Sequence, residues 1–411
     1  MADLVWRPIT HAELDAAVDL DARAFRADAT RVRTSLEGNS RFSWRDVYGV
    51  ERDGALAAVL TAFPMDLWLG GGPLAALAVA GVSVPPEHRR RGLARFMLRE
   101  THAHFRAAGR HVAILYPFSV GFYRSLGYEM VETRHHYRVP PTSLPLYPER
   151  LAVRLAGPAD WPAVHTVYEA HLRERGGVQR SEAVWRERFH DRDAELAVYQ
   201  DATGIMGYVQ YEFKRVEPRT PDEPVWFEVL AREMVALSGA AERGLLGFLA
   251  AQQEQAAAVH IVCSPDAPLL FALSDPRSFP DRRVEFIMNT VFQGTSGLML
   301  RVLDTPGALA ARRYPAHVQG EVALRVADPA QPDAGPWRVR FEGGQADVKP
   351  ATAAAEAVAV DIATLSALFA GALKATQAER LGRLQGKPDA LATLDAAFAT
   401  PPLMVQRTDW F

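Results

Sequence analysis

The 411-residue chain predicts a mixed α/β and α+β architecture of three units. Two are tandem α/β units, the second a degenerate copy of the first, and the third is a C-terminal α+β unit. Three observations predict it. Apolar strand-like runs alternate with helical stripes in the first unit, the order expected of strands joined by crossover helices. The run Arg91-Gly-Leu-Ala-Arg-Phe-Met97 returns as Arg243-Gly-Leu-Leu-Gly-Phe-Leu249, which indicates an internal repeat. In the last segment, strand-like runs come first and a helix follows, an α+β order.

Bulk properties set the outer bounds. The length fits two to three domains. A hydrophobic fraction of 48% is enough to bury ordinary cores, and a net charge of -3 argues against a general nucleic-acid binder. No apolar run reaches the roughly 18 residues of a membrane span. The opening Met-Ala-Asp-Leu-Val-Trp is unlike a secretory signal, so a cytoplasmic setting is expected. The single cysteine, Cys263, excludes an internal disulfide; within Val259-His-Ile-Val-Cys263 it reads as a buried, inert thiol on a strand. The histidines form no His-Glu-x-x-His or similar spacing, so no metal is expected.

The first unit, residues 1–142, opens with strand-like Val5-Trp6 and a helix from about Ala12, with Thr10 and Glu13 spaced as a capping box. Leu74 to Val84 is a buried-strand run, and it enters Val82-Ser-Val-Pro-Pro-Glu-His-Arg-Arg-Arg-Gly-Leu-Ala-Arg95. Leu93, Phe96, Met97 and Phe105 give the next helix an apolar stripe, and Gly109 can close it. Val112 to Tyr116 forms a second strand, followed by Gly121-Phe-Tyr-Arg-Ser-Leu-Gly-Tyr128. Pro140, Pro141, Pro145 and Pro148 mark the connection onward.

The basic turn is where chemistry is expected. A helix N-terminus offers free N–H groups and a positive dipole end, which suits a phosphate. Gly92 lets the backbone approach it, and Arg89, Arg90 and Arg91 bring guanidinium groups. Alone, such a turn is equally a solvated basic helix start; the strands and helices on either side favour a pyrophosphate. There is no Gly-x-Gly-x-x-Gly and no turn ending in Lys-Ser/Thr, which argues against dinucleotide and Walker-type sites.

The second unit, residues 143–291, begins like the first: Ala152-Val-Arg-Leu-Ala precedes a helical run with Val164, Val167, Tyr168 and Leu172. Its copy of the basic turn lacks the triple arginine and the Pro-Glu-His lead-in, so it should not grip a cofactor. The third unit, residues 292–411, has strand-like runs at Ser296–Val302, Glu321–Val326 and Trp337–Phe341, a Gly343-Gly344 turn, and a helix with Ile362, Leu365, Leu368 and Phe369 stopped at Gly371.

Arg89-Arg-Arg-Gly-Leu-Ala94 reads Arg-x-x-Gly-x-Ala and resembles the coenzyme A signature of the GCN5-related N-acetyltransferases. Gly121 to Tyr128 resembles that family's later helix, Phe-Tyr-x-x-x-Gly-Phe/Tyr. Asp361-x-x-x-Leu-x-x-Leu-x-x-Gly371 resembles sterol-carrier-like domains. Tandem acetyltransferase units closed by such a domain resemble the Eis (enhanced intracellular survival) family over the whole chain. The resemblance implies acetyl-CoA binding in the first unit alone, a hexameric homo-oligomer, and acetylation of primary amines: polyamines, aminoglycosides or a Lys side chain. It places Val82 and Val84 on the pantetheine arm, and Arg89, Arg90, Gly92, Leu93 and Ala94 at the pyrophosphate. It makes Tyr123 the general acid and the Phe411 α-carboxylate part of the active site. Two stretches depart from the family. Pro117-Phe-Ser-Val-Gly121 is bulkier and more apolar than the family's lead-in, and Phe25-Arg-Ala-Asp-Ala-Thr-Arg31 is more basic than a polycation would favour.

Chemistry gives these residues roles. A primary ammonium with a pKa near 10.4 cannot attack a thioester until it loses a proton. Direct attack in a ternary complex needs no enzyme nucleophile, in keeping with an inert Cys263. Strands splayed at Gly81–Val84 and Ala113–Tyr116 would free N–H groups for the thioester and pantetheine arm. A phenol can protonate the leaving thiolate; Tyr123 is the first choice and Tyr128 the second. An α-carboxylate, pKa near 3.5, is a weak direct base but can draw the ammonium and relay its proton through water. Trp410 and Phe411, both aromatic, are expected to pack rather than fray. A lipid- or ligand-binding role for the sterol-carrier-like domain is the alternative reading.

Overall fold

The computed structural model describes residues 4–189, 194–216, 226–278, 288–332, 335–351 and 357–411. Strand β1 (Leu4–Pro8) runs into a short 3-10 turn and then α1 (Leu14–Phe25). The capping box forms at that turn, with Thr10 N donating to Glu13 Oε2 at 2.8 Å. Helix α2 (Ala29–Gly38) is capped by Asp28, whose carboxylate accepts from the N–H groups of Thr30 and Arg31. Strands β2 (Val47–Arg52), β3 (Ala55–Leu69) and β4 (Gly72–Ser83) form an antiparallel meander. Helix α3 (Leu93–Ala107) then crosses over to β5 (Val112–Leu115), which pairs parallel to β4. Leu93, Met97, Leu98, Thr101, His102 and Phe105 line the buried face of α3, the spacing of an amphipathic helix. Gly109, at φ +79, ends it as expected. The β4–β5 ladder stops at Ala78–Ile114 while β4 runs on to Ser83, so the strands part beyond that point. Helix α4 (Val120–Arg124) and β6 (Glu129–Met130) follow.

The second unit repeats this plan. Its elements are β7 (Arg134–Val139), β8 (Val153–Leu155), α5 (Trp161–Arg175), β9 (Gly177–Val178), α6 (Glu182–Val184), β10 (Glu195–Asp201), β11 (Gly204–Val216), β12 (Trp226–Ala236), α7 (Gly239–Ala250), β13 (Ala256–Cys263), α8 (Leu269–Ala272) and β14 (Gln293–Thr295). The sheet order is β14-β7-β13-β12-β11-β10-β8, with β12 and β13 parallel about the crossover α7. The echoed sequences both fall on the crossover helix of their copy, but Arg91–Met97 spans the start of α3 whereas Arg243–Leu249 begins four residues into α7. The copies differ at the turn. Nine residues, 84–92, separate β4 from α3; only Leu237 and Ser238 separate β12 from α7. Ser238 Oγ caps α7 by accepting from Ala241 N at 3.1 Å, and Arg243 lies inside the helix, paired with Glu149. This second copy has no phosphate turn to offer.

The third unit comprises β15 (Met299–Val302), α9 (Thr305–Ala311), β16 (Gly320–Ala327), β17 (Trp337–Glu342), β18 (Gln345–Pro350), β19 (Val358–Asp361), α10 (Ile362–Phe369), α11 (Ala375–Arg380), β20 (Leu384–Gln385) and α12 (Pro388–Ala397). Gly343 and Gly344, at φ +57 and +79, make the β17–β18 turn, and Gly371 at φ +73 ends α10. Arg312, fully buried, donates to the carbonyls of Phe369, Ala397 and Phe398 at 2.9–3.1 Å, the otherwise orphaned C-terminal ends of α10 and α12.

The sheets do not follow the chain's linear order. The Ser296–Val302 run forms the expected strand but does not join the third unit's sheet. As β15 it inserts between β5 and β6 of the first sheet, and its four residues are all buried there. β7, which precedes the proline-rich connection, leaves the first sheet and pairs with β13 and β14. The physical reason is that β5 is buried along its whole length and parallel to β4 on one edge. Its other edge needs a ladder partner, and β15 supplies it.

One buried polar cluster ties all three segments. Arg180 donates to Asp409 through Nε and Nη2, both at 2.9 Å, and to Glu233 at 3.0 and 2.6 Å. Tyr168 Oη and Arg41 also bond Asp409, at 2.8 and 2.6 Å. Burial works to raise the Asp409 carboxyl, but Arg180 and Arg41 outweigh it and hold the carboxyl below its usual range. Removing one partner of such a cluster strands a buried charge, so Asp409→Ala is expected to cost about 3–5 kcal/mol. Calorimetry would read this as a lowered unfolding midpoint; an unchanged midpoint would show that the cluster does not stabilise the tail.

Candidate active site

All seven residues expected at a cofactor, Val82, Val84, Arg89, Arg90, Gly92, Leu93 and Ala94, line one cavity of about 590 Å³. Phe25, Phe118 and Phe122 complete its apolar part. Its polar end is the start of α3. No side chain caps that helix; Gly92 occupies the N-cap position at φ +80, and a Cβ built there meets nothing within 4 Å. The first-turn N–H groups of α3 therefore remain available to a ligand anion, in a cradle that any larger residue would begin to fill.

The three arginines divide their work. Arg89 donates through Nε to Val84 O and through Nη2 to Ala24 O, each at 3.1 Å. It lines the cavity and staples the turn to the residue after β4 and to α1, using two of its five N–H groups. Arg90 and Arg91 make no hydrogen bond or ion pair to a described residue, and Arg90 is held at φ +59. Of the two, Arg90 lines the cavity and Arg91 does not.

Where the strands part, β4 carries a bulge. Val59 pairs with Ser83 and Thr61 with Ala80, so three steps on β4 face two on β3 around Gly81 and Val82. Gly81 sits at φ +53. A bulge turns backbone N–H groups out of the ladder, here at the gap between β4 and β5. Ser83 Oγ bonds Asp21 beside it; burial raises that carboxyl.

Tyr123 lies on α4, 2% exposed, with its ring against Phe118, Phe122 and Tyr128 at 5.1–5.8 Å. Burial raises its phenol, and its hydroxyl bonds no described residue, so it keeps its proton and is free to donate it. Tyr128 is committed elsewhere: a buried 2.7 Å hydrogen bond joins its hydroxyl to His102 Nε2. Burial pushes His102 well below its usual range, so the imidazole is neutral.

Phe411 is packed. Its ring meets Phe63 edge-on at 5.7 Å and Tyr116 at 5.5 Å, held by the Asp409 cluster two residues earlier. Trp410 departs from expectation: it is 43% exposed, with its ring facing Tyr116 and the Arg134 guanidinium. Tyr123 and Phe411 do not touch each other. Phe118 packs on Tyr123 and Tyr116 on Phe411, so the two residues approach the end of β5 from neighbouring positions.

A second cavity of about 500 Å³ lies on the Phe411 side, lined by Tyr116, Glu132, Arg134, Trp410 and strands β12 and β13. The sequence carries no signal for it, because it exists only where β7, the tail and the second sheet meet. A third, of about 260 Å³, lies at the ends of β12 and β13, the second unit's counterpart of the cofactor site. Cys263 lines it, and burial pushes the thiol up to about 12, which keeps it un-ionised. Among the described residues no group of three or more His, Cys, Asp or Glu is placed to hold a metal, and no helix is long and apolar enough to cross a membrane.

Comparison with known proteins agrees with this geometry. Residues 5–131 and 176–302 each match the family described as an acetyltransferase (GNAT) domain, and residues 305–405 match the sterol carrier protein domain. The N-acetyltransferase Eis of Mycobacterium tuberculosis is 30% identical over 372 residues, 85% of this chain and 86% of that protein. An uncharacterized N-acetyltransferase of Streptomyces griseus is 28% identical over 88% of this chain and 89% of its own. The crystal structure of a GCN5-related N-acetyltransferase from Anabaena variabilis superposes with a TM-score of 0.85 at 21% identity, covering 100% of both chains. One from Kribbella flavida does so at 0.81 and 25%, covering 100% of this chain and 99% of that one. With two acetyltransferase units, a sterol-carrier domain and this relative, the chain belongs to the Eis family of GCN5-related N-acetyltransferases and is an acetyltransferase enzyme.

Proposed function

We propose that the first unit binds acetyl-CoA and transfers its acetyl group to a primary amine by direct attack in a ternary complex. The uncapped start of α3, opening on the cavity that ends where β4 and β5 part, is the observation that carries this reading. Acetyl-CoA supplies the activated acetyl thioester. The α3 N–H groups with Arg89 and Arg90 hold the pyrophosphate, and Arg89 also keeps the turn in shape. Val82 and Val84 receive the pantetheine arm, and the bulged backbone at Gly81 offers N–H donors to the thioester oxygen as it gains charge.

Tyr123 gives its proton to the departing sulfur, a task its raised phenol can perform because it is protonated at neutral pH. The Phe411 carboxylate draws in the ammonium and relays its proton through water. The second unit has a capped helix and no phosphate turn, which supports a single cofactor site per chain. Likeness to the family supports hexameric assembly and a cytoplasmic setting. Against a purely lipid-binding role, all eight residues of α10 are buried as core.

The test is thiol release from acetyl-CoA across a panel of amines, with a native, untagged C-terminus. Amine-dependent release is expected; failure to bind acetyl-CoA would sink the reading. Tyr123→Phe is expected to lower kcat by about 10²–10⁴-fold with little change in acetyl-CoA affinity. Residues added after Phe411 are expected to cut turnover strongly, and unchanged turnover in the extended protein would reject the carboxylate's role.

A further inference from the structure

The residues lining the second cavity include two with a buried acceptor that bonds no described residue, Glu132 Oε2 and Tyr116 Oη, and one with a buried donor in the same state, Gln406 Nε2. Glu132 is 2% exposed. Its other oxygen, Oε1, is fully engaged, accepting from Arg134 Nη2 at 2.7 Å and from Val405 N at 2.6 Å. The carboxylate is thus fixed in place by one oxygen, while the other is buried beside the cavity and bonds no described residue. Burial raises the Glu132 carboxyl, and Arg134 with the N–H groups of Val405 and Leu298 opposes that only in part, so the group gains from a second cation. An unmade bond at a buried charged acceptor is costly, and a bound donor removes that cost.

An ammonium is the complement of an orphaned carboxylate oxygen, because it carries three N–H donors and no acceptor. The site has room for one. Among the other groups of the lining, Arg134, Arg232 and Arg407 bring positive charge, while His136 and His260 are kept neutral, chiefly by burial. Behind them, Glu228 is already held by Arg138 and His260. Asp28, the acidic residue of the basic N-terminal segment, is spent capping α2. Leu230, Ala231, Val262 and Met404 give the cavity an apolar wall. Tyr116 directly follows β5 and its ring lies against Phe411, so the cavity adjoins the C-terminal residue.

We infer that Glu132 Oε2, with Tyr116 Oη beside the same cavity, forms a single-cation subsite for the acceptor, so that this chain takes compact amines bearing one ammonium on an apolar body rather than polycations. The inference rests on the acetyl-transfer reading above.

The experiment measures acetyl-CoA binding by calorimetry and thiol release with phenethylamine and with spermidine, for the untagged protein, Glu132→Gln and Tyr116→Phe. The expected result is a KM for phenethylamine at least tenfold below that for spermidine. Glu132→Gln should raise it about ten- to hundredfold, the loss of a charge-assisted bond, with acetyl-CoA affinity unchanged. Tyr116→Phe should raise it a few fold. That variant deletes a hydroxyl the folded chain leaves unpaired, so it keeps its unfolding midpoint and carries the test if Glu132→Gln fails to fold. Unchanged KM in both variants, a fall in kcat alone, or preference for spermidine overturns the subsite. Binding of acetyl-CoA without turnover of phenethylamine overturns this inference alone; no binding overturns the reading beneath it.

Discussion

The Arg180–Asp409 cluster is the constraint on which the rest of the active site depends. Asp409 comes from the C-terminal tail, Arg180, Glu233 and Tyr168 from the second unit, and Arg41 from the first. Every member is paired, which is the condition under which buried charges are tolerated. The cluster holds the tail against the first sheet, seats Phe411 between Phe63 and Tyr116, and so closes one wall of the second cavity. Arg180 also lies over the rings of Tyr168 and Trp185, at 3.8 and 4.5 Å, so its position is set by packing as well as charge. A terminus that would otherwise fray becomes as fixed as a strand.

The two acetyltransferase-like copies show how little separates a cofactor site from a structural domain. Both have a parallel strand pair around a crossover helix. In the first copy a nine-residue turn delivers the helix start uncapped, with two unpaired guanidinium groups beside it. In the second, two residues connect strand to helix, and Ser238 satisfies one of the free N–H groups itself. A capped helix has less to offer an anion, and the remaining cavity is less than half the size of the first. The second unit instead gives its sheet to β7, its arginine to the tail, and two strands to the wall of the second cavity.

The third unit reaches the chemistry through contacts as well as through its tail. Arg383 bonds Glu129 at 2.7 Å, and the same carboxylate oxygen pair holds Arg124, the neighbour of Tyr123. Arg301 on β15 bonds Leu126 O and Asp328. The short helix that carries the phenol is therefore braced from behind by residues far along the chain.

What the sequence determined by itself was local. The capping box at Thr10 and Glu13, the Gly343-Gly344 turn, the helix ends at Gly109 and Gly371 and the basic turn before α3 are each written within a few residues, because backbone preference and capping act over that range. The residues that line the first cavity were legible for the same reason: most lie on one continuous strand–turn–helix. Tertiary structure decided whatever needed a distant partner. Ser296–Val302 reads as a strand, but nothing in it names β5 as its neighbour, since a buried strand pairs with whichever edge is open. Nothing local shows that Arg89 also bonds Val84 O and Ala24 O, and Trp410 looks buried until the tail turns it outward. Glu132 and Arg180 carried no motif at all. A charge acquires its role from the groups that surround it after folding, and that surrounding is assembled from segments hundreds of residues apart.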